Sequence, residues 1–199
     1  EIPLRLVGSE MCIRDSYQGT PYDPYLSYGD KSAKGAYRSI GINRNDFMAL
    51  LQMRPDQPEE SRAVEWVAYA SNAFNTMVPF YANVERTPEY LANTTGTVST
   101  DNFYWTSRLI AAMADASYNK SLFHLERYEE AVLSAARALV NQYDAKLAAE
   151  PDAASRAALR EEANTAIAAM LQEKAADTLD KVLFELSSQM KNAYSRSDA

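Results

Sequence analysis

The chain has 199 residues, a formal net charge of −7 and a pI near 4.8, so the clustered lysines and arginines of a nucleic-acid-binding surface are not expected. Hydrophobic residues make up 47% and charged residues 24%, which is the composition of an ordinary globular domain. No apolar run reaches the roughly 18 residues that a membrane span needs, and the single cysteine excludes an intramolecular disulfide framework.

The first sixteen residues resemble a translated sequencing adaptor. Segment 6–16, LVGSEMCIRDS, matches one reading frame of a transposon-end adaptor. The adaptor ends two bases into the codon of residue 16, and serine is one of the residues that this codon can encode. We therefore interpret residues 1–16 as adaptor-derived and non-native. Cys12, the obvious candidate for a nucleophile, lies in this segment, so the native part from Tyr17 onward contains no thiol.

Residues 17–100 are predicted to form a loop followed by antiparallel strands. The beginning of this region is predicted to be a loop because it is rich in proline and glycine, which disrupt regular structure, and in tyrosine. Short apolar segments separated by polar, Asn- or Pro-marked turns then predict four strands, at 37–43, 47–53, 63–70 and 76–83. The third alternates in a way that suits a strand covered on both faces, and Pro79 restricts the fourth to a sheet edge or a bulge.

The stretch 71–105 combines five asparagines with seven aromatic residues and almost no charge. Buried amides need hydrogen-bond partners or cost about 1–3 kcal/mol each, so a simple core segment would not carry so many. Two interpretations follow. The amides line a small-molecule pocket with aromatic walls, or they hold together a well-ordered loop beneath the core.

Residues 101–199 are predicted to be helical, since alanine, leucine and charged helix formers dominate. A first helix, capped by Ser99 or Thr100, runs to about residue 117. Two longer helices, 121–149 and 151–194, are about 45 and 60 Å long at 1.5 Å per residue and should pair as an antiparallel hairpin. The Ala-rich tip near Pro151 is expected to project into solvent or to touch another chain. The predicted fold class is α+β.

Motifs for catalysis or cofactor binding are missing from the sequence. His124 is the sole histidine, so no zinc motif or Cys–His pair exists, and none of the six glycines forms a phosphate-binding loop. We predict no metal and no cofactor. Six polar side chains are candidates for binding a substrate carboxylate or amide, and they are Arg44, Asn72, Asn75, Asn83, Asp101 and Asn102.

Four blocks resemble the dipeptidase A family of N-terminal-nucleophile cysteine peptidases. They are RSIGINRNDFMALLQMRP, SNAFNTMVPFYANV, STDNFYWTSRLIAAMADA and MKNAYSRSDA, and the resemblance covers essentially all of 17–199. It implies an αββα sandwich of antiparallel strands, followed here by the helical hairpin. It also implies a bacterial dipeptidase whose amino-terminal Cys attacks the peptide carbonyl while its own α-amine acts as the base. That cysteine belongs to the amino-terminal part of the family, so this chain is expected to be an inactive carboxyl-terminal fragment without catalytic residues.

The resemblance implies two partners, a dipeptide substrate and the missing amino-terminal half of the same protein. A homo-oligomer is possible, a cytoplasmic location is expected, and neither nucleic acid nor a membrane is an expected partner. Two alternatives stay open. The chain could be a fragment of a related amide hydrolase that acts on acylated amines, or an interaction module that uses its helical hairpin.

Overall fold

The computed structural model describes residues 21–23, 27–37, 45–191 and 193. Three antiparallel strands form a sheet in the order β1-β2-β3, namely β1 (Phe47–Met53), β2 (Ala63–Tyr69) and β3 (Val78–Tyr81). Short 3-10 helices, Glu59–Ser61 and Asn72–Phe74, interrupt the two connections between strands. The α+β class predicted from the sequence is confirmed.

The central strand β2 is covered on both faces, as its alternating sequence predicts. Val64 and Trp66 are buried on one face and Val67 on the other. In the register, Phe47 lies opposite Tyr69 and Met53 opposite Ala63. The predicted bounds of β1 are confirmed, and β2 ends one residue earlier than predicted.

Strand β3 is an edge strand among the described residues, as Pro79 predicts, but it is shorter than expected. A helix covers its outer edge through the fully buried side chain of Asn164. The Asn164 carboxamide oxygen accepts from the Tyr81 backbone N–H at 2.8 Å, and its amide nitrogen donates to the Tyr81 carbonyl at 3.0 Å. The amide thus satisfies the two backbone groups that a further strand would otherwise bond.

Four α-helices follow β3 in the described part of the chain: α1 (Glu89–Ala92), α2 (Phe103–Ala116), α3 (Tyr118–Ala149) and α4 (Ala153–Ser187). The predicted cap of the first long helix was wrong. Neither Ser99 nor Thr100 caps α2, because the buried Asn102 accepts from the Trp105 backbone N–H at 2.9 Å.

Helices α3 and α4 form the predicted antiparallel hairpin. Residues near the start of one helix meet residues near the end of the other, as in the contact of His124 with Glu185 at 3.3 Å. Residues 151–155 at the tip are exposed, in agreement with the prediction that the tip reaches solvent, but the helical turns beside the tip pack on the sheet. Leu147 is buried there, and Arg156 forms an ion pair with Glu60, in the turn between β1 and β2, at 2.9 Å.

The last helix ends at Ser187 rather than near residue 194. The side chains of Ser187, Ser188 and Gln189 bond carbonyls three or four residues earlier, which competes with continuation of the helical ladder. Met190 consequently lies outside the helix and is 80% exposed.

Some predictions fall outside the described residues. These are the strand at 37–43 beyond its first residue, the adaptor segment with Cys12, and residue 194. The described strands form one sheet, so the second sheet of the expected sandwich stays a prediction. None of the helices in the described ranges combines the length and apolarity that crossing a membrane requires.

Candidate functional site

Four polar residues meet where β1 begins and β2 ends, and we call Asp46, Ser71, Tyr104 and Arg108 the strand-end cluster. Arg108, in the second turn of α2, donates to the Ser71 hydroxyl at 3.0 Å and to the Asp46 carboxylate at 3.2 Å. The Tyr104 hydroxyl donates to the same Asp46 oxygen at 3.1 Å. The guanidinium also lies over the Tyr104 ring, 5.7 Å from its centroid. Two strand ends and one helix therefore position a single arginine.

The backbone at this corner is strained. Ala70 and Ser71 have φ angles of 54° and 31°, in the left-handed region that residues with a Cβ rarely occupy. Each such residue costs on the order of 1–3 kcal/mol and persists only when its surroundings enforce it. Here the Ala70 N–H donates to the Asp46 carbonyl at 2.8 Å, and Asn75 donates to the Tyr69 carbonyl at 2.6 Å. The strain turns the buried Ser71 side chain toward Arg108.

The ion pair within the cluster lies partly in solvent. The side chain of Arg108 is 32% exposed and that of Asp46 is 64% exposed. A pair exposed to this extent contributes about 0–1 kcal/mol to stability, which is less than the strain beside it. The ion pair alone therefore does not offset the strain, and Arg108 is a partly exposed cation that also contacts Ser71 and Asp46.

Aromatic rings surround the cluster. Tyr69 lies between Phe47 and Phe103, with centroids 5.5 Å from each, and the ring of Trp105 packs edge-on against Tyr104 at 5.2 Å. Burial, with a smaller contribution from the charge of Glu65, raises the pKa of Tyr69, so its hydroxyl stays protonated at neutral pH. The cluster is thus a cationic and polar group beside an uncharged aromatic wall.

This arrangement can bind and orient a substrate, but it holds no nucleophile with its base. Ser71 is 2% exposed and contacts a guanidinium, which cannot accept a proton from it. His124 lies on α3 and contacts Glu185 instead. No group of His, Cys, Asp and Glu suited to a metal occurs within the described ranges. A guanidinium can bind a carboxylate through charge-assisted hydrogen bonds, and Arg108 is the cation that the cluster offers for this chemistry.

Three of the six predicted binding residues have structural contacts. Asn75 is buried, and its oxygen accepts from the Thr76 N–H at 2.8 Å while its nitrogen bonds Tyr69. Asn102 caps α2. Asp101 is exposed, and its carboxylate accepts from the Ser99 hydroxyl at 2.9 Å. For Asn75 and Asn102, these contacts match the interpretation of the stretch 71–105 as an ordered loop.

The other three candidates do not gather around them. Asn83 is exposed and follows β3 at the opposite end of the sheet from Asn75. Strand β2 spans seven residues between these ends, so roughly 20 Å separates them at about 3.3 Å per residue. Asn72 lies beside Ser71 in a 3-10 helix. Arg44 lies outside the described residues, and its role stays a prediction.

A second concave feature runs between α3 and α4. The groove has a volume of about 660 Å³, and its lining includes His124, Lys174 and Lys181. Lys174 and Lys181 have acidic neighbours at 3.0 and 2.5 Å, and His124 contacts Glu185 at 3.3 Å. Arg127 also lines the groove and lies over the Phe123 ring. Both sites therefore contain paired cations, and the strand-end cluster differs because a buried hydroxyl, that of Ser71, and an aromatic wall lie beside its arginine.

The sequence analysis missed all four residues of the strand-end cluster. Ser71 and Arg108 are 37 positions apart, so no local motif joins them. One signal was present, because Arg108 is the single cation in α2 and precedes the apolar run LIAAM. A lone cation beside an apolar run favours a specific neighbour, and here that neighbour, Ser71, comes from the strained turn after β2.

Comparison with known proteins identifies the family. A model of Peptidase family C69 matches residues 7–131. The match begins before residue 17, so the end of the adaptor-derived segment at residue 16 stays a prediction. A probable dipeptidase A of Streptococcus pyogenes serotype M18 is 43% identical over 186 residues, which is 94% of this chain and 38% of the relative. A dipeptidase of Bifidobacterium longum is 38% identical over 94% of this chain and 42% of its own length. The chain thus spans about two fifths of the length of these relatives, and it belongs to peptidase family C69.

Proposed function

We propose that this chain is the carboxyl-terminal part of a cysteine-type dipeptidase, and that the strand-end cluster forms one wall of its substrate cleft. Membership of the C69 family and the dipeptidase names of the relatives support the reaction class. The nucleophile of the proposal is an amino-terminal cysteine outside these residues, with its own α-amine as the base. The 199-residue chain is accordingly expected to be inactive alone.

Arg108 carries the proposal. A dipeptide differs from longer peptides because its free carboxylate lies one residue from the scissile bond, so a dipeptidase gains selectivity by binding that carboxylate. The Arg108 guanidinium is partly exposed, and Ser71 and Asp46 fix its orientation. A carboxylate seated on it makes charge-assisted hydrogen bonds of about 1.5–3 kcal/mol. The aromatic wall beside it suits the apolar part of a dipeptide side chain.

The residues predicted from the sequence take different places in this proposal. Arg44 and Asn72 keep their predicted substrate-binding roles, since Asn72 directly follows Ser71 in the chain. Asn75 supports the cluster by holding the strained turn. Asp101, Asn102 and Asn83 are expected to affect folding more than substrate binding. A cytoplasmic location and a possible homo-oligomer remain parts of the proposal.

The test is kinetic and uses the complete dipeptidase. We expect Arg108→Met to raise KM for a dipeptide about 10- to 100-fold, which corresponds to about 1.4–2.7 kcal/mol of lost carboxylate binding. The same substitution should change the KM of the carboxyl-amidated dipeptide little, because that substrate lacks the charge. Arg127→Met is the matched control, since Arg127 packs over Phe123 on α3, away from the cluster.

Equal effects of Arg108→Met on the free and the amidated dipeptide would contradict the carboxylate role. Efficient turnover of acylated amines, insensitive to Arg108→Met, would favour the alternative of a related amide hydrolase. The 199-residue chain provides a separate check. Dipeptide turnover by this chain that disappears in Cys12→Ala would overturn the view that the nucleophile lies elsewhere.

A further inference from the structure

Strand β1 exposes an apolar row on one face. Phe47, Leu51 and Met53 alternate along this face and are 56%, 77% and 65% exposed. The strand FMALLQM contains no charged residue, and its one polar side chain, Gln52, accepts from the Trp66 indole N–H at 2.8 Å. The neighbouring strand β2 buries its large apolar residues, so the exposure is a property of β1 and not of the whole sheet.

An exposed row of this kind is unfavourable in a protein that works alone. Apolar surface in contact with water costs about 25 cal/mol per Å², and outer strands usually carry lysine, other charges or proline on such faces. Contiguous exposed apolar surface marks an interaction site. On this face of the sheet, Glu65 of β2 lies directly across from Leu51. The row therefore has the chemistry of a buried interface.

We infer that this row packs against the remainder of the longer C69 peptidase polypeptide. The inference rests on the proposed function. The Streptococcus relative is 43% identical over 94% of this chain, yet the chain covers 38% of that relative, so most of such a protein is available to cover the row. The occupant presents an apolar surface, with a polar or cationic group near Glu65.

The position of the row connects it to the candidate site. Phe47 directly follows Asp46 of the strand-end cluster, and its ring lies 5.5 Å from that of Tyr69. A polypeptide segment that covers Phe47 and Leu51 therefore borders the strand-end cluster and contributes to the proposed substrate cleft. Docking on β1 and assembly of the substrate site are then one event.

The test is reconstitution from two pieces. We would co-express the tagged 199-residue chain with the portion of the Streptococcus relative that this chain does not cover, and measure the mass of the purified complex by light scattering. Leu51→Lys is the disruptive variant, because the lysine faces Glu65 and should keep the strand folded. Phe184→Lys is the matched control, since Phe184 is a 69% exposed apolar residue on α4.

We expect a one-to-one complex with the wild type and with Phe184→Lys, and at least a tenfold lower yield of complex with Leu51→Lys. An equal yield with Leu51→Lys, or no complex with the wild type, would overturn the inference. A dimer of this chain that Leu51→Lys dissociates, without capture of the other piece, would identify a second copy as the occupant and also overturn it. Dipeptide hydrolysis is measured separately, so a complex that forms but does not cleave refutes the proposed function and leaves the interface intact.

Discussion

Replacing Asn164 by leucine tests whether one helix amide closes the edge of the sheet. Asn164 is 1% exposed and bonds both the N–H and the carbonyl of Tyr81. Leucine has a similar volume but no polar group, so both backbone groups would be left buried and unsatisfied. Each such group costs about 1–3 kcal/mol, whereas the better helix propensity of leucine returns only about 0.5 kcal/mol. We expect Asn164→Leu to lower the free energy of unfolding by about 2–5 kcal/mol.

Urea denaturation followed by far-UV circular dichroism measures this loss. Asn141→Leu is the matched control, because Asn141 is an exposed asparagine inside α3, where the same substitution changes helix propensity alone. The control should be neutral or slightly stabilising. If Asn164→Leu and Asn141→Leu unfold within about 0.5 kcal/mol of each other, the double hydrogen bond does not stabilise the β3 edge, and the reasoning is refuted.

Two further substitutions probe the hairpin. Asp144 bonds Arg54 twice, at 2.6 and 3.1 Å, and both side chains are about 85% buried. Asp144→Asn removes the negative charge of this pair and should lower the free energy of unfolding by about 2–4 kcal/mol. Thermal denaturation should show a melting temperature lowered by about 5–15 °C. Asp152→Ala removes the carboxylate that caps α4. The Ser155 backbone N–H bonded to Asp152 lowers the pKa of that carboxyl in the folded state. The Asp152 carboxylate therefore stabilises the fold fully above the pKa that it has in the unfolded chain, and this stabilisation disappears as pH falls through its pKa in the folded state. The urea midpoints of the wild type and of Asp152→Ala should consequently converge in acid.

The sequence predicted most of the regular elements because each depends on a local pattern. Alternation in Ala63–Tyr69 and the long helical periodicities after Phe103 are visible in single segments. The helix ends were harder to predict. All four residues from 99 to 102 (STDN) are of types that cap helices, and only tertiary packing decides that the buried Asn102 caps α2.

The candidate site was not predictable from the same patterns. Asparagines in the stretch 71–105 drew attention to polar groups that mostly hold the loop together, such as Asn75. The four residues that meet at the strand ends come from three separate parts of the chain, namely the start of β1, the turn after β2 and helix α2. The left-handed turn at Ala70 and Ser71 brings them together, and neither residue is a glycine that would have signalled it.

The two ends of the sheet hold similar ion pairs in opposite environments. At the hairpin tip, Asp144 is buried, bonds Arg54 twice and accepts from the Tyr81 hydroxyl at 2.7 Å, and burial together with this carboxylate raises the pKa of that tyrosine. Such a network fixes one geometry, because breaking it leaves an uncompensated buried charge.

At the other end, the side chains of Arg108 and Asp46 are 32% and 64% exposed, so solvent screens their pairing and the pair stabilises the fold less than the buried network does. The strained backbone of Ala70 and Ser71 lies beside this partly exposed pair, and the described residues show no such strain near the buried network. Strained backbone next to a partly exposed arginine, in contrast to the unstrained and buried network at the other end, is the physical reason for proposing that substrate binds at the strand ends rather than at the hairpin tip.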